Sequence, residues 1–150
     1  MAWSNSKIFM AFVEDAFENT AALDLDTDAL KAALFDNTIT PSQTVATAST
    51  VYGAGVWASG GVFDATGWPA VGRPLAATSG FSSNVYTFDS ADTVSVNNTT
   101  TLTNAYGALC YDDAIGDQGI CYNYFGGANS VTSGTFTIVW NASGIFALTL

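Results

Sequence analysis

The chain has 150 residues, one domain's length, enough to bury roughly 68–70% of the surface that its unfolded form exposes and to fold without metal or disulfide staples. Charged residues make up 11% against 49% hydrophobic, the net charge is −10, and Lys7, Lys31 and Arg73 stand alone against thirteen acids. This argues against a nucleic-acid binder and against a protein held to anionic lipid by a polybasic patch. With no histidine, imidazole metal sites and the Ser-His-Asp and Cys-His nucleophile pairs are excluded.

Met1 to Ser6 lacks the basic region of a secretory signal, and the apolar stretch after Lys7 is broken by Glu14 and Asp15 before it reaches the length of a membrane span. Synthesis in the cytoplasm and no membrane association are the expectations. Ile8, Phe9, Phe12, Val13, Ala16 and Phe17 recur at one-, three- and four-residue steps, with Glu14, Asp15 and Glu18 off that stripe. The spacing predicts an amphipathic helix over residues 5–19, with Ser4 or Asn5 as N-cap. Its stripe either covers one end of the domain's own core or docks on a neighbouring subunit. Trp3 lies outside any periodic element, so an exposed Trp beside the helix becomes a candidate anchor on a partner surface.

From Asp28 the period shortens to two. Leu30, Ala32 and Leu34 alternate with Lys31, Ala33 and Phe35 in a strand over 28–35, with a helix as the alternative, and Asn37 and Pro41 stop it. Residues 50–57 read as a further strand, Gly60-Gly61 and 67–69 as turns, and 73–77 as a short apolar run. The C-terminal half is richer in β-branched and aromatic residues. It predicts strands at 85–88, 94–96, 101–111, 120–125, 136–140 and 145–150, parted by turns at Asp112-Asp113, Gly126-Gly127, Ser133-Gly134 and 141–144. The expected architecture is one all-β domain, an antiparallel sandwich or barrel over about 28–150 with one N-terminal helix. Phe88, Leu109, Ile120, Tyr122, Phe136, Ile138, Trp140, Phe146 and Leu148 are its core candidates. A final strand with an apolar end must be paired in a sheet, so a tag fused there should harm folding more than one at the N-terminus.

The motifs that carry chemistry are few. Asp24, Asp26 and Asp28 open like an EF-hand loop, but Ala29 and Phe35 stand where that loop needs Gly and a bidentate Glu, which leaves a solvated acidic turn. Asp112, Asp113 and Asp117 cluster in a hairpin loop. They offer the paired carboxylates of a glycosidase without an evident cleft, and an acidic hairpin tip is the plainer account. Gly53, Gly55, Gly126 and Gly127 lack any phosphate-loop or dinucleotide fingerprint. Trp57, Trp68 and Trp140, with Tyr122, Tyr124 and Phe125, are candidates to stack sugars, although Trp140 and Phe136 sit at in-phase strand positions where core packing is the ordinary role. Cys110 and Cys121 lie in β-rich runs; a bridge is open to them if their strands pair, and a reduced cytosol favours two buried thiols. No catalytic residue, cofactor or metal ligand emerges, and neither enzymatic activity nor nucleic-acid binding is expected.

Read along its whole length, the chain resembles a family of small structural proteins encoded by tailed bacteriophages. The segments that carry the likeness are the amphipathic opening, 26–35 with Asn37 and Pro41, the Gly-Trp-Pro and Gly-Arg-Pro-Leu stretch at 67–75, 87–92, and the ending at 134–146. The most specific piece is that final hairpin, where Trp140-Asn141-Ala142 and Gly144-Ile145 close a polar turn. The family pattern has a Gly-Gly pair ahead of Leu75, where this chain has Val71 and Gly72. The resemblance implies a virion component, either a capsid decoration protein or a minor tail protein, and brings no catalytic residue with it. On the decoration reading the partner is the major capsid protein, the assembly a small homo-oligomer, a trimer, and the location the outside of the head. Trp3, Phe9 and Phe12 are the candidate partner-binding residues. A carbohydrate-binding module is the rival from another class.

Overall fold

A computed structural model describes residues 3–149. In chain order its elements are β1 (Lys7–Ile8), α1 (Met10–Glu18), β2 (Leu30–Phe35), β3 (Gly61–Val62), β4 (Arg73–Pro74) and β5 (Ala77–Ser82). They continue as β6 (Val85–Ser90), β7 (Thr93–Val94), β8 (Thr100–Asp112), β9 (Gln118–Gly134), β10 (Thr137–Ile138) and β11 (Phe146–Thr149). All pairings are antiparallel. The largest sheet runs β1-β9-β8-β2-β3, with β4 also on β2; a second runs β11-β6-β5, and β10 pairs β7. The fold is therefore all-β with one N-terminal helix, as the sequence predicts. Among the described residues no helix is long and apolar enough to cross a membrane.

β2 is an interior strand of the large sheet. It pairs with β8 on one side and with β3 and β4 on the other, and Leu30 and residues 32–35 are all buried. That is why its sequence reads as a nearly continuous apolar run rather than a clean alternation. One face carries an aromatic cluster around Trp57, whose ring lies 6.0 Å from Trp3, 6.1 Å from Phe9, 5.0 Å from Phe35 and 6.2 Å from Tyr122. Gly107 on β8 makes room for it: a Cβ there would stand 2.5 Å from both Trp3 Cζ3 and the Asn123 carbonyl oxygen. β8 and β9 do not pair in one register. Between Gly107↔Tyr124 and Ala105↔Asn129, β8 moves two residues while β9 moves five, a bulge that contains Gly126 at φ 82°.

Several boundaries differ from the sequence expectation. The helix starts at Met10, not at residue 5, because Lys7 and Ile8 pair with Tyr122 and Cys121 and the Phe9 N–H donates to the Ile120 carbonyl at 3.1 Å. Neither Ser4 nor Asn5 caps it; Phe9 is the N-cap residue and gives no side-chain bond. Residues 50–57 are not a strand. Gly53 and Gly55 adopt positive φ, and Gly55–Ala58 close into a 3-10 turn that drives Trp57 into the core. Gly126-Gly127 is a bulge inside β9 rather than a turn between strands. Of the nine core candidates, Phe88, Leu109, Ile120, Tyr122, Phe136 and Ile138 are buried, Trp140 and Phe146 are half-buried, and Leu148 is exposed. The last strand is present as β11 on β6, up to Thr149; Leu150 lies outside the described residues.

Candidate interaction surface

The β5–β6 hairpin turns through Ser83 and Asn84, both at positive φ (48° and 66°), a two-residue left-handed turn whose twist suits the strands it joins. Its register sets Ser79 opposite Phe88 and Phe81 opposite Tyr86, and β11 then sets Phe146 opposite Phe88 and Leu148 opposite Tyr86. Alternation puts these six side chains on one face. At one end of that face Phe88 is fully buried, with Phe146 at 5.2 Å. Toward the hairpin tip the same face emerges, with Phe81 68% exposed and 5.0 Å from Tyr86.

α1 forms the opposite wall. Phe12 is buried and stands 6.3 Å from Phe146, while Phe17, one and a half turns along the same helix, is 84% exposed. Between helix and sheet lies a groove of about 550 Å³, floored by Phe12, Val13 and Leu25 and walled by Phe17, Phe81 and Leu148. Asp24 is the acidic residue lining it. Beyond it, the helix carries Glu14, Asp15 and Glu18, and Asp26 accepts the Ser79 N–H at 3.3 Å. The three cations are elsewhere: Lys7 on β1, Lys31 on β2 against Asp113 at 2.8 Å, and Arg73 on β4, whose Nε donates to the Val94 carbonyl at 3.0 Å.

Of the predicted anchors, Trp3 and Phe9 are packed inside the chain's own core and are not available to a partner. Trp3 is held by its indole N–H, which donates to the Asp36 carbonyl at 2.7 Å, and by rings on two sides, with Tyr122 at 6.0 Å edge-on and Tyr124 at 6.4 Å stacked. Phe12 is buried too and reaches the groove only as part of its floor. The reason is that β1 carries the N-terminal segment across β9, so the aromatics before the helix fall on the cluster instead of solvent.

The carboxylates hold turns. Asp24 Oδ1 accepts the N–H groups of Asp26 and Thr27 at 3.0 and 3.2 Å, its Oδ2 accepts the Thr27 hydroxyl at 2.6 Å, and these bonds hold its pKa below the usual value. Asp112 Oδ1 accepts the N–H groups of Ala114 and Ile115 at 2.8 and 3.2 Å. Its Oδ2 is buried and accepts from no N–H or O–H donor. Burial, then the neighbouring Asp28 carboxyl, pushes Asp112 up to about 6 against the opposing pull of the two amides. No group of three or more metal-ligating side chains is assembled among the described residues.

No family model, curated protein or solved structure matches the chain. Phe17 already belongs to the apolar stripe; it is exposed because it stands one turn beyond half-buried Val13, on the edge of the helix away from the fully covered Ala11 and Phe12. Phe81 lies in a stretch of Ala, Thr, Ser and Gly that carries little strand signal. Asn84, between two runs of alternating character, is the clue to the hairpin that presents it.

Proposed function

We propose that this chain is a non-catalytic virion structural protein, a capsid decoration protein that binds the outside of the major capsid lattice as a homotrimer. The observation that carries the reading is the groove face. Phe17 and Phe81 are held on the outside of a domain whose own core is already closed around Trp57 and Phe88, and large exposed apolar groups clustered in this way mark an interaction surface. A lattice of repeated subunits offers symmetric sites where a small oligomer can bury such a face several times over, and no chemistry is required of it. The net charge of −10 keeps the free subunit soluble until it meets a less acidic shell. The resemblance of its segments to small phage structural proteins points the same way.

A sugar-binding role finds less support. Trp3, Trp57 and Trp68 are buried and Trp140 is half-buried with its indole N–H on Thr93 Oγ1 at 3.0 Å, so no tryptophan stands open as a stacking platform. Copy number per particle tests the proposal. Hundreds of copies, and heads that rupture more easily when the protein is deleted, are expected. A handful of copies confined to purified tails would replace it with a minor tail role, and retention of DNA at physiological salt would overturn it.

A further inference from the structure

We infer that the groove between α1 and the β5-β6-β11 sheet receives an apolar segment flanked by Lys or Arg side chains, supplied by a protein other than this one. The inference deepens the reading above and rests on it for one point, that this face is an interface. Its first ground is shape: the groove has an apolar floor of Phe12, Val13 and Leu25 between two projecting aromatic walls, Phe17 and Phe81, a form suited to an inserted side chain rather than to a flat contact. Its second is charge. Asp24 lines the groove, Glu18 follows Phe17 at the end of the helix and Asp26 holds the Ser79 N–H beside it, and the elements that form the groove carry no cation, whereas every Lys and Arg of the chain sits on β1, β2 or β4 of the other sheet.

A second copy is therefore the wrong occupant. Seated on itself, this face would set Asp24 and Glu18 of one copy against those of the other, and of the cations that a copy could bring from elsewhere Lys31 is already paired with Asp113 and Arg73 already donates to a backbone carbonyl. A cation-flanked partner places its charges against the groove's carboxylates while its apolar centre covers the aromatics, and such complementarity both steers encounter and excludes like-charged competitors.

The test uses the full chain and two short synthetic peptides with the same Leu/Phe centre, one flanked by Lys and the other by Glu. Amide shifts and titration read the binding. The Lys-flanked peptide is expected to bind at least about tenfold tighter, to shift amides of α1, β5, β6 and β11, and to weaken as salt is raised. The exposed-site variants F17S and F81S, checked for an unchanged circular-dichroism spectrum, should lose that binding. D24N with E18Q should erase the preference between the peptides while leaving the fold intact. Equal affinity for both peptides, binding to neither, shifts on another face, or a homo-oligomer that F81S disperses would each overturn the inference. The copy-number measurement is independent of these results, so a groove that binds the Lys-flanked peptide on a protein absent from particles would end the virion reading alone.

Discussion

Asp15 on α1 accepts a 2.6 Å hydrogen bond from Nε2 of Gln118, the first residue of β9 and 103 positions further along the chain. The same carboxylate accepts the hydroxyls of Thr20 at 2.6 Å and Thr47 at 3.3 Å, so one side chain ties the helix to its own exit, to the 46–50 turn and to the principal hairpin. Hydrogen bonds to a charged group contribute about 1.5–3 kcal/mol each at best. Asp15→Ala should therefore lower stability by about 2–3 kcal/mol in urea unfolding. Gln118→Ala, which leaves Asp15 its two hydroxyl donors, should cost less.

The N-terminal Trp3 is a core residue, and removing it should behave like any large cavity mutation. Trp3→Ala is expected to cost about 3–5 kcal/mol. Gly107→Ala should be comparably harmful for a different reason, since its new methyl group would stand 2.5 Å from a backbone oxygen that cannot move aside. Thermal melts of both variants, compared with the exposed-site change F81S, provide the check: the first two should melt well below wild type and the third beside it.

Asp112 gives stability a pH signature of unusual sign. Its folded pKa, raised from 3.8 to about 6, means that the folded state holds the proton more tightly than the unfolded chain does. The cost of ionising it is absent below 3.8, grows as pH rises toward 6 and is complete above that. Asp64 works in the opposite direction. The N–H of Thr101, then the N–H and hydroxyl of Thr66, hold it down to about 2, and its contribution is lost as pH falls from 3.8 toward that value. The comparison to make is thus between wild type and Asp112→Asn. The amide keeps an oxygen for Ala114 and Ile115 and offers an N–H to Asp28. The variant should be more stable than wild type at pH 7.5 and lose that advantage by about pH 4. An advantage independent of pH would contradict the assignment.

Cys110 and Cys121 face each other across β8 and β9 as buried free thiols, both reached by Nδ2 of Asn123 at 3.5 and 3.6 Å. Their mutual hydrogen bond and burial hold the Cys110 thiol well above its ordinary range, so little thiolate forms at neutral pH. The folded protein should be inert to a chromogenic disulfide reagent, and both thiols should react once it is unfolded in denaturant. Rapid labelling of the native protein would show that the hairpin opens locally.

The sequence spoke clearly where one period held over a whole element. β2, β6, β8 and the first half of β9 are legible because their β-branched and aromatic residues alternate or run together between evident turns. Helix α1 was legible in kind but not in extent, since the pairing of Lys7 and Ile8 with residues 121 and 122 overrides a helical periodicity that continues through them. The 125–128 bulge was not legible, because two glycines in succession read equally well as a turn. The candidate anchors went astray for a related reason. Composition shows that Trp3, Phe9 and Phe12 are sticky, but only the path of the chain over β9 decides whether they meet solvent or Trp57.

That path also makes the N-terminal segment depend on a strand distant in sequence. β1 has its partner in β9, and Trp3 finds Tyr122 and Tyr124 there, so the strand pairing and much of the aromatic packing of this segment, beyond what Trp57 and Asp36 offer, wait for residues more than a hundred positions further along the chain. Pairing elements so distant in sequence requires closing a long loop before any contact rewards it, and such topologies fold in milliseconds to seconds rather than microseconds. A slow phase in refolding, with its amplitude tracked by the burial of Trp3 fluorescence, is where this dependence on the late-made hairpin will be visible.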